Sequence, residues 1–243
     1  VTAVVVVAAG WPTRDEKAAV PTRPAAVTAA ANTAPDESSA DAEAPASSVP
    51  TRAFKAIDST RAAGVAYQEG DFATALAQLE LAVAESPNDP EVRNNLGQLL
   101  VRQGRTADAL PHFDAAVRLD GARWNYRFNR ARAYGLLNRW PEAVAEYRVA
   151  AQAFPGDHAT LYNLGLALLR VRDYAAAASS LEQAVAAAPE QHDFLITLGT
   201  AYVGADQTER ARATFQRFLE VAPDDPEAPK VRALLQALAD AAP

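Results

Sequence analysis

The chain of 243 residues reads as an all-α protein built from stacked helical repeats. Three observations carry that reading. An alanine returns every 34 residues, at Ala75, Ala109, Ala143, Ala177 and Ala211. A small residue keeps the same step, at Ala63, Gly97, Ala131, Gly165 and Gly199, and so does a large one, at Leu79, Phe113, Tyr147, Leu181 and Phe215. A period of this length marks an array whose units bury their apolar faces against one another. The hydrophobic share of 49% is dominated by alanine, the residue with the best helix propensity.

Taken in order, residues 1–12 open with the apolar run Val1–Ala9, followed by Gly10, Trp11 and Pro12. A membrane span needs about 20 apolar residues, so this run does not cross a bilayer as given. The chain starts at Val1 and holds no methionine, so we read it as a fragment or a processed product. On that reading the run is the tail of a truncated anchor or signal, with Trp11 at the interface. The charges of Arg14, Asp15, Glu16 and Lys17 cancel and fix no orientation. Residues 13–50 are rich in Ala, Pro, Ser and Thr, with almost no large apolar residue. Such a stretch cannot offset its ordering entropy by burial, and its prolines keep it extended. A disordered N-terminal tether is expected there.

From Thr51 the pattern turns helical, with Thr51 as N-cap and Phe54, Ile57 and Val65 as the apolar positions of the first helix. A turn at Gly70-Asp71 precedes a helix ending at Glu85, and Pro87-Asn88-Asp89-Pro90 starts the next. Gly104, Asn138, Arg172 and Asp206 repeat the first kind of turn, while Gly121, Pro155, Pro189 and Pro223 repeat the second. Each unit is therefore two helices of about 12–15 residues, too short to be stable without packing. Within residues 51–225 the units are 56–89, 90–123, 124–157, 158–191 and 192–225. One more helix, 226–240, carries Val231, Leu234, Leu235 and Leu238. Gly97, Gly165 and Gly199 lie inside helices, where glycine costs about 0.5–1 kcal/mol. Close helix packing is the expected compensation. Pro111 removes a hydrogen bond near the start of a second helix and is expected to bend it.

Unit three shows the fullest motif: Phe128, Arg130-Ala131, Tyr134, Trp140, Ala143, Tyr147, Ala150 and Pro155. Unit four repeats it as Leu161, Leu164-Gly165, Leu168, Tyr174, Ala177, Leu181, Ala184 and Pro189. This pattern resembles the tetratricopeptide repeat over about residues 56–225. Units two and five match less fully, with Gly121 in place of the closing proline and Phe218 in place of an alanine. The resemblance implies a right-handed α-α superhelix, a solenoid whose concave face is lined by the first helix of each unit. It also implies a terminal helix covering the last apolar face.

The function implied is a non-enzymatic scaffold that binds a protein or peptide segment in the concave groove. The groove residues expected are Asn95, Gln98, Phe128, Asn129, Arg132, Tyr162, Asn163, Leu166 and Ile196. A carboxamide both donates and accepts, so Asn95, Asn129 and Asn163 either clamp a partner's main chain or bond locally. Phe128, Tyr162 and Ile196 either form an apolar stripe or pack neighbouring first helices. Arg123, Arg127, Arg130 and Arg132 reverse the acidic balance locally and suit carboxylates. They either meet a partner, or Arg127 and Arg130 bond to neighbouring helices and Arg132 alone faces the groove. The cation pattern by which such arrays grip acidic chaperone tails is absent from the matching positions.

The net charge of −7 and pI near 5.0 argue against nucleic acid, which needs a basic face. Cysteine is absent. His158 and His192 occupy equivalent places one unit apart, too far to share a metal. No nucleophile elbow or phosphate loop appears. No catalytic residue, metal or cofactor is expected. Two other readings stand beside the scaffold: a self-association module of a membrane-linked envelope complex, and a regulatory fragment of a longer enzyme. Membrane anchoring with the array outside the cytoplasm is the expected location, with the cytoplasm as the alternative.

Overall fold

A computed structural model describes residues 52–240, with side chains from Lys55 onward. The anchor segment 1–12, the tether 13–50, Thr51 and the side chain of Phe54 lie outside the described residues. Among the described residues there are eleven helices and no strand. They are α1 (Arg52–Gln68), α2 (Phe72–Glu85), α3 (Pro90–Arg102), α4 (Thr106–Leu119), α5 (Trp124–Leu136) and α6 (Trp140–Ala153). The rest are α7 (His158–Arg170), α8 (Tyr174–Ala187), α9 (Asp193–Gly204), α10 (Thr208–Val221) and α11 (Ala228–Asp240).

The helices pair as α1/α2, α3/α4, α5/α6, α7/α8 and α9/α10, and each second helix packs on the first helix of the next unit. Successive first helices from α3 to α9 also touch, while no second helix approaches the next one comparably. The array therefore curves toward its first helices, which line the inner face.

The small and large columns meet inside each helix pair. A methyl built on Gly97 would stand 2.7 Å from Cε1 of Phe113. On Gly165 it would stand 2.5 Å from Cγ of Leu181, and on Gly199 2.4 Å from Cε1 of Phe215. These receiving side chains are fully buried, so none can swing aside. The glycines let the two backbones close to the distance at which the ring or isobutyl group fills the gap.

Each pair is closed by the same turn. Gly70, Gly104, Asn138, Arg172 and Asp206 all have positive φ, between 57° and 80°. The next residue donates its N–H back into the first helix: Asp71 to Ala66, Arg105 to Leu100, Arg139 to Tyr134, Asp173 to Leu168 and Gln207 to Tyr202, at 2.8–2.9 Å. This is the left-handed helix stop that satisfies orphan carbonyls. Asp71, Asp89, Asp157 and Asp173 cap the following helices through their carboxylates, which satisfies orphan N–H groups.

One local expectation changes, the apolar positions of α1, while the structure adds detail at Pro111 and Phe218. Ile57 and Val65 are 55% and 51% exposed. Val65 stands open where the equivalent Leu99, Ala133, Ala167 and Ala201 are buried, because no described helix precedes α1, whereas the Ile57 column is also exposed at Glu91 and Asp193. Pro111 lies inside α4, which runs on as a helix to Leu119. Its ring is on the exposed side, where the missing N–H costs least. Phe218 is fully buried together with Val231 of α11, and so fills the last layer under the terminal helix.

The interlock makes a paired prediction. Gly199→Ala gains helix propensity of up to about 1 kcal/mol, but overpacking costs about 1–3 kcal/mol. Gly64, also helical, has nothing within 4 Å of its added methyl. Thermal unfolding followed by circular dichroism should show a lower Tm for Gly199→Ala and an unchanged or higher Tm for Gly64→Ala. Stabilisation by both would refute the interlock.

Candidate partner-binding face

The inner face is formed by α3, α5, α7 and α9. Its columns run at a step of 34 residues, but the side-chain hydrogen bonds between adjacent first helices run at 35. Nδ2 of Asn129 donates to Oδ1 of Asn94 at 2.8 Å, and the Tyr162 hydroxyl lies 3.1 Å from the Thr197 hydroxyl. The shift arises because neighbouring helices pack at an angle, which offsets their facing positions.

This offset consumes much of the expected asparagine ladder. Asn129 is bonded to Asn94, and Asn163 donates to the Ala159 carbonyl of its own helix at 2.8 Å. Asn95 is half-buried and makes no side-chain hydrogen bond among the described residues. Asn94, which the sequence did not single out, is buried and accepts from its neighbour. Its signal was available only at the 35-residue step.

The expected apolar stripe is likewise drawn into packing. Phe128 is buried, edge-on to Trp124 at 6.2 Å and to Tyr147 at 5.6 Å. Its place is the core of its own unit, not the open groove. The ring of Tyr162 stacks on Phe194 at 4.3 Å and 18°. Burial pushes the Tyr162 hydroxyl pKa up, against the lowering effect of the Thr197 bond, so it stays a neutral phenol. Ile196 and Leu166 remain half-buried on the inner face.

The arginine cluster divides. Arg127 and Arg130 both bind Glu146 of α6, at 3.1 and 2.6 Å, and Arg130 also meets Asp114 of α4 at 3.1 Å. Arg123 pairs with Asp120 at 3.4 Å. Arg132 has no ion pair or hydrogen bond among the described residues. One repeat before it stands exposed Gln98, and one repeat after it Leu166. The face thus changes from polar (Asn95, Gln98) through cationic (Arg132) to apolar (Leu166, Ile196).

Elsewhere, a cleft of about 540 Å³ lies at the turns before α3 and α5, between Asp89, Asp120, Arg123 and Tyr126. A second, of about 440 Å³, lies between α8 and α10. Burial and the nearby Arg93 push the His112 imidazole pKa down, against Glu80 and Asp108. Among the described residues, no group of three His, Cys, Asp or Glu side chains could hold a metal ion. No helix there is long and apolar enough to cross a membrane.

Comparison with known proteins places this geometry. A family model for the tetratricopeptide repeat matches residues 66–120 and 168–238, and a second one matches residues 94–158. No curated protein matches by sequence. Among solved structures, MamA of Desulfovibrio magneticus RS-1, from its residue 41 to its end, is 22% identical. That alignment covers 71% of this chain and 97% of the solved MamA chain, with a TM-score of 0.66. YrrB, described as a TPR protein with an unusual peptide-binding site, is 17% identical over 73% of this chain and 92% of its own, at a TM-score of 0.67. A tetratricopeptide repeat protein of Parabacteroides merdae ATCC 43184 is 18% identical over 76% and 74%, at 0.68. At these identities the likeness concerns the fold, a right-handed solenoid of helix pairs. With repeat signatures matched over more than half its length, the chain belongs to the tetratricopeptide repeat family.

Proposed function

We propose that the inner face of α3, α5 and α7 binds an extended protein segment with a carboxylate opposite Arg132 and apolar side chains against Leu166 and Ile196. The fold supports a protein-interaction scaffold, and the peptide-binding site in the description of YrrB favours a peptide as the occupant. One observation carries the finer reading. Of the four clustered arginines, three are engaged by carboxylates of this chain, and Arg132 is left for a carboxylate from outside. Asn95 and Gln98 offer amide groups beside it. The arrangement binds and positions; we read it as a scaffold without chemistry of its own.

Peptides selected from a displayed library of extended sequences test this reading directly. Selected sequences should carry Asp or Glu next to apolar residues. Arg132→Glu should weaken their binding at least about tenfold, measured by calorimetry. Arg217→Glu, on the outer side of α10, should leave it unchanged. Equal affinity for wild type and Arg132→Glu would refute the assignment.

The apolar residues 1–12 and the proline-rich stretch 13–50 support a second element of the reading, a tether linking the array to a membrane. The chain should pellet with phosphatidylcholine vesicles and lose that property when residues 1–12 are removed. Recovery of both forms in the supernatant would count against a tether.

A further inference from the structure

Among the described residues, the apolar core is interrupted between units two and three. One buried cluster joins units one and two and reaches unit three only at Ala133, while another runs from Phe128 to Val231. Ala116, Val117 and Tyr126 form an island between them. At that boundary, between α4 and α5, Arg130 stands where units two, four and five have Leu96, Leu164 and Leu198. Its guanidinium bridges Asp114 of α4 and Glu146 of α6, and its Nε is buried with no hydrogen-bond partner. Arg127 adds a bond to the Gly121 carbonyl at 3.0 Å. The groove side of the boundary is held by the Asn94–Asn129 bond. By contrast, units four and five meet there through the stacked rings of Tyr162 and Phe194.

The pair that crosses from α5 to α4, Arg130 with Asp114, leaves the Asp114 side chain 48% exposed, so solvent screens its attraction and it contributes little net stability. A leucine buried at that place contributes more, because it withdraws apolar surface from water. In a repeat array, cooperativity depends on the interface terms between neighbours, and a weak interface separates units that open independently.

We propose that the array consists of two cooperative blocks, α1–α4 and α5–α11, hinged at the charged boundary between α4 and α5. The first block is the weaker one. Val65 of α1 lies open where the equivalent Leu99, Ala133, Ala167 and Ala201 are buried, whereas α11 covers the other end of the array. The assignment stands on packing alone and is independent of the partner-binding reading.

Native-state hydrogen exchange of the full chain, read by mass spectrometry, tests it. The slowest amides of α2 and α3 should exchange at least about tenfold faster than those of α7 and α8, with the step at the α4–α5 boundary. Arg130→Leu with Glu146→Gln places a leucine as in units two, four and five, opposite a glutamine equivalent to Gln78 of unit one. This variant should shrink the step below about threefold. Even protection across the boundary in the wild type, or a step elsewhere, would overturn the proposal. So would a step that persists undiminished in the folded variant. If the variant does not fold, the wild-type profile still decides.

Discussion

The interlock of a small residue on each first helix with a large one on its partner is the contact on which the rest depends. Gly97, Gly165 and Gly199 hold no side chain because Phe113, Leu181 and Phe215 already occupy the space. This contact fixes how closely the two helices of a unit approach. The left-handed turn at the end of the first helix fixes their reversal, five times at the same place. With spacing and reversal set, one inner face is displayed by successive first helices, and the remaining side chains are sorted by where that frame puts them.

That sorting separates residues that hold the stack from residues available to a partner. The polar groups of the inner face are largely engaged by the array itself. Asn129 binds Asn94 and Asn163 binds its own helix, while Arg127 and Arg130 turn toward the second helices and share Glu146. What stays uncommitted is a short sequence of side chains across three units: Asn95 and Gln98, then Arg132, then Leu166. Its change from polar to apolar gives the face a direction along the array.

The frame was legible in the sequence because a 34-residue period repeats the same contact in every unit. Ala131 and Tyr147 report the same packing as Gly165 and Leu181. Turn positions were legible even at Arg172, whose left-handed backbone is unusual for its type, because the column rather than the residue marks the turn. The site was less legible. Side-chain hydrogen bonds between neighbouring first helices run at 35 residues, so the Asn94–Asn129 pair was invisible to a search at 34. Phe128 shares a column with half-buried Tyr162 and Ile196, yet it is covered by Trp124 and Tyr147, which no other unit carries together. The exposure of Val65 follows from its place in the first described unit, since its equivalents Leu99, Ala133, Ala167 and Ala201 are buried.

The central claim is that partners meet the first helices and not the second. A photo-crosslinking amino acid placed at Leu166 of α7 or at Val149 of α6 tests it most directly, since Val149 is exposed on a second helix. A selected peptide should become attached through position 166 and not through position 149. Attachment through 149 alone would contradict it.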